Sequence, residues 1–254
     1  MGRMGERVRA VLAEHPDLVL GAAVEAPGHP ALGSELAPGV ALGDDAGAAL
    51  AGCEAAIVFA TPDATLELLR RAADAGVPCA VGTTGFSSDQ KKEIRTLAER
   101  VAIVLAANFS VAVNVLFHLS RRAAELLGPD FDAEIVEIHH AAKVDAPSGT
   151  ALRIGEAVAE GRSQHLEEHA VLSRQGYTGP RPPGAIGIQA LRGGDNPGEH
   201  TLMFVGGGER LELIHRASTR DHFARGAVRA AGWLRGRAPG LYDMEQVLGL
   251  GASD

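Results

Sequence analysis

Between residues 3 and 110 the chain alternates short, uninterrupted apolar runs with stretches whose apolar positions recur at helical spacing. Residues 3–15 read as a helix stopped by Pro16, and residues 18–24 as a strand. A second strand is expected over 55–60 and a helix closed by Gly76 over 63–75. A third strand over 77–81, a polar turn over 82–85, a helix from 87 to about 100 and a fourth strand over 101–106 complete this half. Strands that are apolar throughout, not at alternate positions, suit a parallel sheet covered by helices on both faces.

The pattern changes after Asn108. A helix over 111–127 leads to a strand over 133–139, a loop containing Lys143, a short helix over 149–160 and a long polar loop over 161–184. Three strand-like runs (185–191, 199–205, 209–217) follow, joined by glycine-rich turns such as 206–208, and residues 223–237 read as a last helix. Successive strands joined by tight turns predict antiparallel pairing. The fold class is therefore α/β: a Rossmann-like doubly wound parallel sheet, with a second α+β domain that contains a mostly antiparallel sheet.

A formal net charge of −8 argues against a nucleic-acid partner, because counterion release needs a basic face. It also means that an anionic ligand has to be drawn by a local cluster of cations. The longest apolar stretches, such as 101–107, are too short to span a bilayer, and no basic segment followed by an apolar one opens the chain. Cys53 and Cys79 lie in apolar runs without Cys or His at metal-ligand spacing, and read as small core residues. A cytoplasmic protein without membrane contact is expected. Lysine occurs only at Lys91, Lys92 and Lys143, and every other basic residue except histidine is arginine. Lys91 and Lys92 belong to a polar helix. Lys143 lies beside two histidines, where an ammonium can give up a proton and a guanidinium cannot.

The segment 137–151 concentrates the chemistry. A strand delivers His139 and His140 into a loop, Lys143 follows three residues later, and Ser148 is placed to cap a helix opened by Gly149 and Thr150. A helix N-terminus built from small residues attracts anions. With Lys143 and one histidine it can hold both carboxylates of a small molecule, while the other histidine supplies a proton near neutral pH. A metal at His139 and His140 lacks a third ligand nearby, so no metal is expected. At the other end, Gly2 and Gly5 have the spacing of the last two glycines of a dinucleotide-binding loop, and Glu25 follows the second element where an acid binds ribose hydroxyls. No strand precedes Gly2, so the cofactor fold reads as one lacking its first strand and first glycine.

Glu-x-His-His-x-x-Lys-x-Asp-Ala-Pro-Ser-Gly-Thr-Ala over 137–151 resembles the motif of the 4-hydroxy-tetrahydrodipicolinate (dihydrodipicolinate) reductases. The likeness extends to Gly2-Arg3-Met4-Gly5, to residues 81–86, 107–110 and 198–200, and to 240–244. The resemblance implies NADH- or NADPH-dependent reduction of 4-hydroxy-tetrahydrodipicolinate to tetrahydrodipicolinate, in lysine and diaminopimelate biosynthesis. It implies His139 as proton donor and Lys143 as its catalytic partner, with His140, Gly149 and Thr150 on the substrate carboxylates. It implies cofactor contacts from Gly2, Arg3, Met4, Gly5 and Glu25, and from Gly82, Thr83, Thr84, Ala107, Asn108, Phe109 and Ser110. The implied domains are 1–110, an N-terminally truncated dinucleotide-binding domain completed by 221–254, and 111–220, which binds substrate and forms a homotetramer. Ala26 follows Glu25 where many members carry an arginine for the 2′-phosphate of NADPH, which favours NADH. The alternative is a cofactor-deficient homologue that keeps only the oligomerising substrate domain.

Overall fold

The computed structural model describes residues 2–251. They form two compact units, one made of residues up to 111 together with those from 221 onward, the other of residues 112–220. Among the described residues no helix is long and apolar enough to cross a membrane.

The first unit opens with α1 (Arg3–Ala13), β1 (Ala23–Val24), β2 (Glu35–Ala37), β3 (Val40–Gly43) and α2 (Ala46–Leu50). It continues with β4 (Ala56–Val58), α3 (Pro62–Ala75), β5 (Cys79–Val81), α4 (Ser88–Ala98) and β6 (Ala102–Leu105). Strands β4, β5 and β6 pair in parallel. Both faces of this sheet are buried, which is why its strands read as unbroken apolar runs. Cys79, Val81 and Ile103 pack with Leu66, Leu69 and Ile94 of α3 and α4. The alternate residues Ala80, Ala102 and Val104 pack with residues that return from the end of the chain. Burial also pushes the Cys79 thiol up to about 12, so it is an inert core residue. Helix α3 starts with Pro62 in its first turn and stops at Gly76, whose φ of +69° is a left-handed cap.

The expected strand over 18–24 shrinks to Ala23–Val24, which pairs with β3 in a separate three-stranded sheet of order β1-β3-β2. Strands β1 and β4 each have a strand neighbour on one side only. Residues 18–22 make no strand pairing with other described residues, and Val19 is 86% exposed.

The second unit contains α5 (Val111–Leu127), β7 (Asp132–His139), α6 (Gly149–Gly161), α7 (Leu166–His169), β8 (Ala170–Val171), β9 (Ile186–Arg192), β10 (Glu199–Val205) and β11 (Arg210–Arg216). Its sheet is mixed, in the order β11-β10-β7-β9-β8. The β11-β10 and β10-β7 pairings are antiparallel, and β7-β9 and β9-β8 are parallel. Strands β9 and β10 do not pair with each other, although a short glycine-rich loop joins them. They flank β7, and their connection passes over its end. On the covered face Ala133, Ile135, Ile186, Ile188, Leu202 and Phe204 are fully buried against Ile154 and Val158 of α6. The chain then returns to the first unit through α8 (Asp221–Trp233), β12 (Gly240–Tyr242), parallel to β6, and α9 (Met244–Leu248).

Candidate active site

Strand β7 alternates, and its inward residues are Ala133, Ile135, Glu137 and His139. The covered face of the sheet thus turns from apolar to polar at one end. Register puts His200 of β10 opposite Glu137, Arg192 of β9 opposite His139, and His215 of β11 beside His200. The loop between β9 and β10 fastens this corner by backbone bonds: Gly193 N–H donates to His139 O, His140 N–H to Asn196 O, and Ala141 N–H to Gly194 O.

Glu137 is the hub. Its side chain is fully buried. Oε2 accepts from His139 Nδ1 (2.6 Å) and Arg192 Nη1 (2.8 Å), while Oε1 accepts from Arg192 Nη2 (3.0 Å) and Ser148 N–H (3.0 Å). Burial alone would push this carboxyl up. The Arg192 fork, the His139 ring and the Ser148 N–H outweigh it and hold the group below the usual carboxylate range. Because Glu137 is ionised, the proton on the His139–Glu137 bond belongs to Nδ1, and Nε2 is left as the working nitrogen. A Cβ on Gly198 would come within 2.8 Å of that Nε2, and Gly198 has φ of +142°. Glycine there keeps the nitrogen uncovered.

His200 packs its ring edge-on to His139, with centroids 5.2 Å apart, and Nε2 lies 3.2 Å from Ser148 Oγ. Burial, together with His139, His215 and Lys143, pushes His200 down to about 3, so it is neutral. Ser148 caps α6 by accepting from Ala151 N–H at 3.1 Å. Gly149 and Thr150 form the first residues of that helix, and the space where a Gly149 Cβ would project is open. Lys143 reaches Asp145 at 2.8 Å, and this hydrogen bond is the main cause that holds the Asp145 carboxyl low. His139, His140, Lys143, Gly149 and Thr150 therefore lie in one corner of one unit. Glu137, Arg192, Ser148 and His200 build that corner as well. The period-2 pattern that places His200 in line with buried Leu202 and Phe204 is the sequence signal for it, whereas Arg192 carries none.

The remaining predicted residues lie in the first unit. Gly2 caps α1 with extended backbone and no side-chain bond, followed by Arg3, Met4 and Gly5, and the space beside Gly2 is open. This exposed helix start fits a phosphate group. Glu25 directly follows β1. Gly82, Thr83 and Thr84 follow β5, and Ala107 to Ser110 follow β6, so both loops leave the same edge of the parallel sheet, where α/β folds bind nucleotides. Thr83 and Phe109 have buried side chains, and Thr83 Oγ1 is tied to Thr65 Oγ1 at 2.7 Å. Only their backbones are available to a ligand.

Models of the dihydrodipicolinate reductase family match almost the whole chain, the N-terminal one residues 1–109 and the C-terminal one residues 112–248. The chain belongs to the dihydrodipicolinate reductase family. Members similar to it include the 4-hydroxy-tetrahydrodipicolinate reductase of Anaeromyxobacter dehalogenans, 48% identical over 98% of this chain and 95% of that protein. That of Thiobacillus denitrificans is 49% identical over 98% and 96%. The dipicolinate-bound dihydrodipicolinate reductase from Paenisporosarcina sp. TG-14 shares the fold, with a TM-score of 0.78 at 24% identity over 95% of this chain and 94% of that one. In this family member the buried Glu137 hub and the capped helix α6 meet on one stretch of 12 residues, 137–148.

Proposed function

We propose that the chain reduces 4-hydroxy-tetrahydrodipicolinate to tetrahydrodipicolinate with a nicotinamide cofactor, a step of lysine and diaminopimelate biosynthesis. The observation that carries this reading is the corner in which His139, oriented by a buried carboxylate, stands beside Lys143 and the start of α6. One substrate carboxylate sits at the N–H groups of Gly149 and Thr150, and the other at Lys143 and His140. Asp145 holds the Lys143 ammonium in place. His139 Nε2 gives up one proton to the substrate, and Nδ1 stays bonded to Glu137 throughout. The bound nicotinamide supplies a hydride, and with the proton from His139 and the loss of the hydroxyl as water the atoms balance.

The start of α1 at Gly2, Arg3, Met4 and Gly5 holds the pyrophosphate, and Glu25 the adenosine ribose. Gly82, Thr83 and Thr84, with Ala107, Asn108, Phe109 and Ser110, line the nicotinamide side. Ala26 offers no charge to a 2′-phosphate, which favours NADH. A homotetramer is inferred through the outer face of the second unit's sheet, where Leu191, Val205 and Ile214 are more than a third exposed. Steady-state turnover of 4-hydroxy-tetrahydrodipicolinate with each cofactor tests both parts. Substrate-dependent cofactor oxidation with kcat/KM higher for NADH is expected. No turnover with either cofactor contradicts the activity, and a clear preference for NADPH contradicts the cofactor assignment.

A further inference from the structure

The Glu137–Arg192 pair has a role beyond holding the fold. We infer that Arg192 and Glu137 are positioning residues that set the proton affinity of His139 in opposite directions. The inference rests on the proposed reading of His139 as proton donor.

The geometry is specific. Arg192 Nη1 and His139 Nδ1 share one oxygen of Glu137, at 2.8 and 2.6 Å. The second guanidinium nitrogen bonds the other oxygen and also the carbonyl of Asp145 in the loop that carries Lys143. A buried carboxylate alone beside an imidazole favours the imidazolium strongly. An always-charged guanidinium on the same oxygen draws down that field without being able to lose its own proton. Glu137 thus favours a proton on His139, and Arg192, bonded to the same oxygen, opposes it. The other charged or titratable groups around His139 are His200 from β10, His215 from β11, and His140, Lys143 and Asp145 from the loop after β7. His200 is neutral and Lys143 is paired with Asp145, which leaves the Glu137–Arg192 pair as the principal control.

The test is a proton NMR titration of the His139 ring, assigned by the signal missing in H139Q, alongside the pH profile of kcat/KM. In E137Q the His139 titration and the alkaline limb should both move down by about one pH unit or more. In R192M both should move up. Circular dichroism confirms folding, and R192K, which keeps a charge but not the two-pronged fork, should show a smaller upward shift if R192M does not fold. Shifts of the His139 signal in the same direction in both variants, or no shift in either, overturn the inference. Opposite NMR shifts with a pH profile that does not follow them uphold the inference and overturn His139 as the proton donor.

Discussion

His200 is charged in the unfolded chain below about pH 6.5, yet the folded protein keeps it neutral down to about 3. Its affinity for protons is depressed on folding, so the stability linked to it is complete above about pH 6.5 and is lost as the pH falls towards 3. Glu137 acts in the same direction, but only below the ordinary carboxylate range, because its folded-state affinity is depressed from there. The two residues therefore act in different windows. Urea unfolding at pH 7.5 and pH 5 should show the parent protein weaker at the lower pH, and the difference should shrink in His200→Gln. An equal loss in both proteins would show that His200 does not carry it. The ring is neutral first because burial strips water from it, and it lies edge-on to His139 and 3.2 Å from Ser148 Oγ.

Helix α6 links the stability of the second unit to its chemistry. Its inward residues Ala151, Ile154 and Val158 cover the apolar part of the sheet, and its first turn borders the polar part. Ser148 caps the helix and touches both Glu137 and His200. Ser148→Ala should cost about 1 kcal/mol of stability. It should also raise KM for the dicarboxylate more than it lowers kcat, because the helix start proposed to bind the anion loses its anchor while His139 keeps Glu137. A fall in kcat at unchanged KM would place Ser148 in the proton transfer instead. The long elements α3, α5, β7 and β10 were legible in the sequence because each spans several periods of its pattern and ends at a glycine, proline or polar turn. The short strands β4, β5 and β6 were legible as unbroken apolar runs between helices, whereas β2, β3, α2, α7, β8, β12 and α9, of two to five residues, have neither such a run nor a full period to announce them. The site follows the same rule. His139, His140, Lys143 and the α6 start are neighbours in sequence and could be read together. Arg192 and His200 lie more than 50 residues from Glu137, and it is the pairing of β9 and β10 on either side of β7 that brings them in. That order was hidden because a short loop ordinarily joins strands that pair with each other.

The first unit carries an exposed helix start and a parallel-sheet edge proposed to hold a dinucleotide, and the second a corner of paired charges beside the α6 start proposed to hold a dicarboxylate. The second unit also leaves Leu191, Val205 and Ile214 exposed on one sheet face, where the proposed tetramer would assemble. Light scattering on the purified protein should give the mass of four chains, and Ile214→Lys should lower it. A monomer mass for the parent protein would contradict the tetramer. The central claim is that His139 and Lys143 carry the reduction. Its most direct measurement is kcat for His139→Ala and Lys143→Ala under saturating substrate and cofactor, with circular dichroism to confirm folding. Each variant is expected to lose about 10²–10⁴-fold in kcat while remaining folded. Near-parental turnover in either folded variant would contradict the account and remove that residue from the mechanism.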